Sequence, residues 1–271
     1  MTAVGIVGLV VAGYVALVGG MYTFQRNLLY IPSQSVPSPA ESGVPEMTVV
    51  ELETADGLRL MSWSQPATDD RITIVYFHGN GGHIGYRGGK VRPYLDAGYG
   101  MLLVSYRGYG GNPGSPTEDG LYADGHAAMA FLAEQGVAPG QTVVYGESLG
   151  TGVAVQIALD QARAGTPVAA VVLEAPFTST VDAGSNHYPW LPVRWLMKDR
   201  FDSLSKIAGI QAPLLIIHGG RDRVVPFRLG KALYAEAVAP KESLWIPDAG
   251  HNDLEAYGAS EKVLEFIERD M

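Results

Sequence analysis

A chain of 271 residues, 47% of them apolar, is long enough for one large α/β domain or two small ones with a sizeable core. Its formal net charge of −9, with no basic stripe, argues against a nucleic-acid partner. The lack of cysteine excludes disulfides, thiolate metal sites and a cysteine nucleophile, and says nothing about compartment.

Residues 3–22 read AVGIVGLVVAGYVALVGGMY, without a charge. As a helix the stretch is about 30 Å long, the thickness of a bilayer's hydrocarbon core. An uncleaved membrane anchor is favoured over a signal peptide. No Lys or Arg precedes the run, it is long for the apolar part of a signal, and no A-x-A site follows. A third reading is an interfacial helix, or one packed on the protein's own apolar surface. Gly8, Ala12, Ala16 and Gly20 share one helix face and form a candidate packing seam, although small residues are common in such segments. Arg26 is the only basic residue before Arg59, which tilts the rest of the chain toward the cytoplasmic side.

Residues 24–39, FQRNLLYIPSQSVPSP, read as a connecting segment. Leu28, Leu29, Tyr30 and Ile31 are too apolar for a free linker and are expected to dock on the domain or at the membrane interface. Residues 32–45 read as loop. Stretches 47–53 and 58–64 flank Asp56-Gly57 and predict a hairpin. Residues 71–77, RITIVYF, form a nearly all-apolar strand, as a strand covered on both faces should be. Further strands are predicted at 100–106, 142–145, 168–173, 213–217 and 243–246. Helices are predicted at 117–135, from 149 to 162, at 228–237 and at 253–269. Apolar strands alternating with helices predict a mostly parallel sheet with helices on both faces. Residues 178–207 break the alternation. They hold Tyr188, Trp190, Trp195 and Leu196 in a stretch without strand pattern, after a sheet strand, where ligands bind in open α/β sheets. This is either a short cap lining an acyl pocket or ordinary helix packing.

The chemistry points to one pentapeptide. Gly146-Glu147-Ser148-Leu149-Gly150 is a G-x-S-x-G between a predicted strand and a predicted helix, the pattern of a nucleophile elbow. A serine hydroxyl is a weak nucleophile at neutral pH and needs a base, itself oriented by a carboxylate. Only His218 and His251 follow the elbow by way of another strand. His251 lies after the last strand, in PDAGHND, and is the candidate base. His218 ends the strand at 213–217 and reads as structural. Asp222, in the loop beyond that strand, is the candidate acid. Asp248 and Asp253 flank His251 too closely in sequence to reach its far nitrogen easily. The first oxyanion N–H is expected from Leu149. The second is expected from Asn80 in the glycine-rich HGNGG at 78–82, just past a strand. The rival reading of HGNGG is a plain turn. A phosphate-binding loop fits worse, since no Lys-Ser/Thr follows. His78 is expected to shape this loop, His83, His126 and His187 read as ordinary, and Glu147 reads as a satisfied neighbour of the serine. No metal-ligand spacing occurs, so neither a metal nor another cofactor is expected.

In that order, HGNGG, SYRGYG, YGESLGTGVA, EAPFTS, YPWLPVRWLMKDRFDS, HGGRDRVVP and AGHND resemble the serine α/β-hydrolases of the Bem46-like group. That group includes bacterial membrane-anchored hydrolases and eukaryotic α/β-hydrolase-domain proteins acting on acyl esters and thioesters. The likeness spans nearly the whole chain, including the apolar N-terminus and FQRNLLY. It implies an α/β-hydrolase fold with an eight-stranded sheet and a short cap. It also implies Ser148 as nucleophile, Asp222 as acid and His251 as base.

The expected organisation is an apolar helix over residues 1–25 and a hydrolase domain over 26–271, with a cap at about 178–207. The expected activity is cleavage of a small acyl ester or lipid through an acyl-enzyme, at a membrane reached through the N-terminal helix. A thioesterase or amidase would use the same three residues. A non-catalytic binding protein on this fold would usually lack one of them.

Overall fold

A computed structural model describes residues 2–69 and 71–270. Eight strands form the main sheet: β1 (Thr48–Glu53), β2 (Arg59–Gln65), β3 (Thr73–Phe77), β4 (Gly100–Val104), β5 (Thr142–Glu147), β6 (Ala170–Glu174), β7 (Leu214–Gly219) and β8 (Lys241–Ile246). Their spatial order is β1-β2-β4-β3-β5-β6-β7-β8. Only β2 runs against its neighbours, and the pairs from β4 to β8 are parallel. The strand order reverses at β3, which lies between β4 and β5. Crevices at the carboxyl ends of strands form at such a point.

The all-apolar strands are explained by two cores. Val75, Phe77 and Val144 pack into one with residues of α3 (Glu118–Glu134), α4 (Gly150–Arg163) and α7 (Phe227–Glu236). Ile74, Tyr76, Val143 and Tyr145 alternate with them and pack into the other with α2 (Gly88–Asp96) and α8 (Ala259–Asp270). The C-terminal helix starts at 259, not at the expected 253, because Gly258 adopts a left-handed φ of 83°.

The N-terminal helix α1 (Ala3–Leu29) is longer than expected. The FQRNLL segment, read as a connection, continues it to Leu29, so the expected boundary at residue 25 falls inside a helix. No Gly or Pro interrupts 21–29, and Gln25 and Arg26 find partners in the cap. Gln25 donates to Leu196 O and accepts from Lys198 N, while Arg26 makes a two-bond contact with the buried Asp199. Tyr30 then enters the core, and Ile31–Pro32 pairs in parallel with Gly81–Gly82.

The cap holds α5 (Thr180–His187) and the single turn α6 (Val193–Leu196). Its root is core packing, because the buried Phe201 lies over Gly152, where a Cβ would come within 2.8 Å of the ring. Its tip, around residues 186–190, is exposed.

Candidate active site

The elbow is a backbone device. Ser148 sits at φ 50°, a conformation L-residues rarely adopt, between the end of β5 and the start of α4. Two glycines permit it. A Cβ on Gly146 would fall 2.6 Å from Gly150 O, and one on Gly150 would overlap Phe77 O at the end of β3. The Ser148 N–H donates to Glu174 O at 2.8 Å, which ties the turn to β6.

Three side chains from separate strand ends meet in line. Ser148 Oγ lies 3.0 Å from His251 Nε2, and His251 Nδ1 lies 2.7 Å from Asp222 Oδ2. With Nδ1–H donating to the carboxylate, Nε2 faces the serine as an acceptor. Asp222 Oδ1 accepts from the N–H groups of Val224 and Val225, both at 2.8 Å. Behind it the fully buried His218 donates from Nε2 to Val225 O at 3.0 Å and stands 3.3 Å from Asp222 Oδ2. Burial alone pushes the Asp222 carboxyl up. The bonds from His218, His251 and the Val225 N–H more than offset it and hold the group well below the ordinary carboxylate range. Asp248 pairs instead with Arg221. Asp253 accepts from Gly250 N at 2.7 Å and shapes the turn beside His251.

The loop after β3 faces the serine. Among the described residues, the backbone N–H groups of Asn80 and Leu149 have no protein acceptor, whereas the rest of Asn80 is engaged. Its Nδ2 donates to Leu29 O at 2.7 Å, and its carbonyl accepts from Ile31 N and Tyr109 Oη. His78 is fully buried, donates from Nδ1 to Gly79 O at 2.7 Å, and packs against the rings of Tyr106 and Tyr109. Burial, aided by nearby Arg87, drives its pKa down to about 3, so the ring is neutral at working pH.

Arg87 is a site residue that sequence reasoning missed. It clasps the Glu147 carboxylate at 2.9 and 3.1 Å and donates to Gly81 O at 3.1 Å, fastening the glycine loop to the residue before the serine. Tyr76 Oη also donates to Glu147 at 2.8 Å. Burial pushes the Glu147 carboxyl up, but Lys90 and Arg87 outweigh that and keep it ionised below its usual range. No motif marks Arg87. It stands in a turn before α2, and only the fold brings it beside β5.

A cavity of about 290 Å³ opens over the serine between the cap and α1. Ser148, Leu149 and Asn80 line its base, Tyr188 and Leu196 its cap side, and Met21 and Leu28 its α1 side. Of the four expected substrate residues, Tyr188 and Leu196 line this space. Trp190 and Trp195 do not, and this corrects the expectation for them. In the one-turn α6, Val193 and Leu196 turn inward, so Trp195 turns out and is 85% exposed. Trp190 lies on the outer face beside Tyr14, whose hydroxyl donates to its carbonyl at 2.9 Å. The α1 contribution was unforeseen, although Met21, Gln25 and Leu28 do share one helical face.

Comparison with known proteins agrees with this architecture. The family described as alpha/beta hydrolase fold matches residues 72–205. The uncharacterized protein Rv2307c of Mycobacterium tuberculosis (strain ATCC 25618 / H37Rv) is 41% identical over 258 residues, covering 94% of this chain and 89% of the relative. Human alpha/beta hydrolase domain-containing protein 17B is 34% identical over 207 residues, covering 74% of this chain and 68% of its own. The solved structure of the Pyrococcus furiosus esterase Pf2001 superposes with a TM-score of 0.69 at 23% identity, covering 89% of this chain and 98% of that one.

Proposed function

The chain belongs to the α/β-hydrolase family, and on that premise we propose that it is an esterase-like serine hydrolase of acyl esters, held at a membrane by α1. The reading is carried by the unbroken line Ser148 Oγ, His251 Nε2, His251 Nδ1, Asp222 Oδ2, with contacts of 3.0 and 2.7 Å.

His251 takes the Ser148 proton as Oγ attacks the acyl carbonyl. Asp222 holds the imidazole in the required tautomer and stabilises its protonated form. The Asn80 and Leu149 N–H groups bind the oxyanion, near the positive end of the α4 dipole. His251 returns the proton to the leaving alcohol as the tetrahedral adduct collapses to an acyl-enzyme. Water activated by the same imidazole releases the acid. The apolar lining from Tyr188, Leu196, Met21 and Leu28 suits an acyl chain, and the bare apolar length of α1 suits an anchor.

The test is turnover of short-chain p-nitrophenyl esters together with labelling by a fluorophosphonate probe. Both are expected of the wild type, and Ser148→Ala is expected to abolish both. Retention of turnover by Ser148→Ala, or a wild type that neither turns over nor labels, overturns the reading.

A further inference from the structure

The outward-facing cap aromatics acquire a role from where α1 runs. Polar contacts between α1 and the cap start at Tyr14, continue through Gln25 and end at Arg26. Residues 3–13 are the part of the helix that stands clear, 11 residues rising about 16 Å in all. An anchor that crosses the hydrocarbon core needs about 30 Å. The free length is about half of that, the depth of one leaflet, so with residues 3–13 inserted Tyr14 lies at the boundary between acyl chains and headgroups, and Trp190, whose carbonyl accepts from Tyr14, shares that depth.

The surface around Trp190 has the composition for such a position. Trp190 is 49% exposed and lies beside a helix whose apolar side chains are bare, and Trp195, in the same cap segment, is 85% exposed. Tryptophan favours the boundary between headgroups and acyl chains, where the ring is buried and its N–H stays wet. The exposed charges of residues 186–200 are Arg194, Lys198 and Arg200, all basic, in a protein of net charge −9. The one acidic residue of that stretch, Asp199, is buried against Arg26. Lys198 stacks over Tyr22, about two helical turns from Tyr14 toward the domain, and an exposed basic stretch beside exposed tryptophans fits a leaflet that carries anionic headgroups.

We propose that the cap face bearing Trp190 and Trp195 seats in a lipid leaflet alongside α1, so that the cavity between cap and helix opens at the lipid interface. This rests on the reading of α1 as an anchor and extends it to the catalytic domain. An acyl chain could then pass from the leaflet to Ser148 along the Met21 and Leu28 face without entering water.

The test uses the full chain with vesicles of phosphatidylcholine and phosphatidylglycerol. The phosphatidylcholine is brominated near the head of its acyl chains, so that it quenches tryptophan emission on contact. Of the four tryptophans, Trp63 is core and Trp245 is packed against Phe227 and Tyr234, so lipid reaches neither. The expected result is co-flotation with the vesicles and loss of emission in the wild type. The loss should fall by half or more in Trp195→Phe and disappear in the Trp190→Phe/Trp195→Phe double variant. Trp195 is so exposed that the single variant has no packing to lose. Co-flotation with unquenched emission, or quenching undiminished in the double variant, overturns the seating while leaving the anchor reading intact. Failure to float overturns both.

Discussion

Asn80 Nδ2 donates to the carbonyl of Leu29 at 2.7 Å, so the loop facing the candidate nucleophile caps the last turn of the N-terminal helix. That carbonyl is one of the orphan acceptors every helix leaves at its C-terminus. Ile31 N–H donates back to Asn80 O at 2.9 Å. The helix end and the proposed oxyanion donor are therefore fixed by reciprocal bonds, and α1 is built into the site as well as leading to it.

Asn80→Ala keeps the backbone N–H and removes the bond to Leu29. One hydrogen bond of this kind is worth about 1 kcal/mol, or about fivefold in rate if it is expressed in the transition state. We expect kcat on a short ester to fall by about that factor with KM little changed. An unaltered kcat would mean that the Ile31 and Tyr109 bonds hold the loop by themselves.

Two carboxylates near His251 separate orientation from mere proximity. Asp222→Asn is expected to lower kcat by about 10³- to 10⁴-fold, since the imidazole loses the acceptor that sets its tautomer. Asp248 is exposed and paired with Arg221 at the surface. Asp248→Asn should leave kcat within about twofold. Steady-state kinetics on one ester compares them directly.

The elbow glycine has a purely steric prediction. Gly150→Ala sets a methyl against Phe77 O, so β3 and α4 must separate. The cost should be about 3 kcal/mol or more. Gly140, with nothing near its Cβ position, takes alanine without such a clash. Urea unfolding of the two variants beside the wild type measures the difference.

His78 sets an acid limit on stability. Its folded pKa of about 3 lies below the unfolded value of about 6.5, so in the window between them the unfolded chain binds more protons. Stability from this group is therefore complete above about pH 6.5 and falls as pH drops toward 3. The loss at pH 4.5 amounts to a few kcal/mol. His78→Gln should lower stability at pH 7 and flatten the slope between pH 6.5 and 4.5. Parallel slopes for variant and wild type in urea titrations would refute this.

Arg26→Ala leaves the buried Asp199 carboxylate with the Glu118 N–H as its remaining hydrogen bond among the described residues. The loss should be about 1–3 kcal/mol and should fall on the junction between α1 and the cap. Limited proteolysis is expected to cut within residues 186–200 sooner than in the wild type, while the sheet remains resistant.

What the sequence alone determined is local in origin. Apolar runs of strand length reported doubly covered strands, because each strand face meets its own core. Gly146-Glu147-Ser148-Leu149-Gly150 reported the elbow, because the steric demand lies within five residues. Asp222 and His251 could be singled out because each follows a strand end on one edge of a parallel sheet. What only the tertiary structure decided involves partners far apart in the chain. Arg87 reaches Glu147, Asn80 reaches Leu29, and Arg26 reaches Asp199, and none of these leaves a periodic trace. The cap shows the same limit. A one-turn helix such as Val193–Leu196 carries no period from which its inner face could be read, so Leu196 and Trp195 looked equivalent until packing turned one toward Ser148 and the other out.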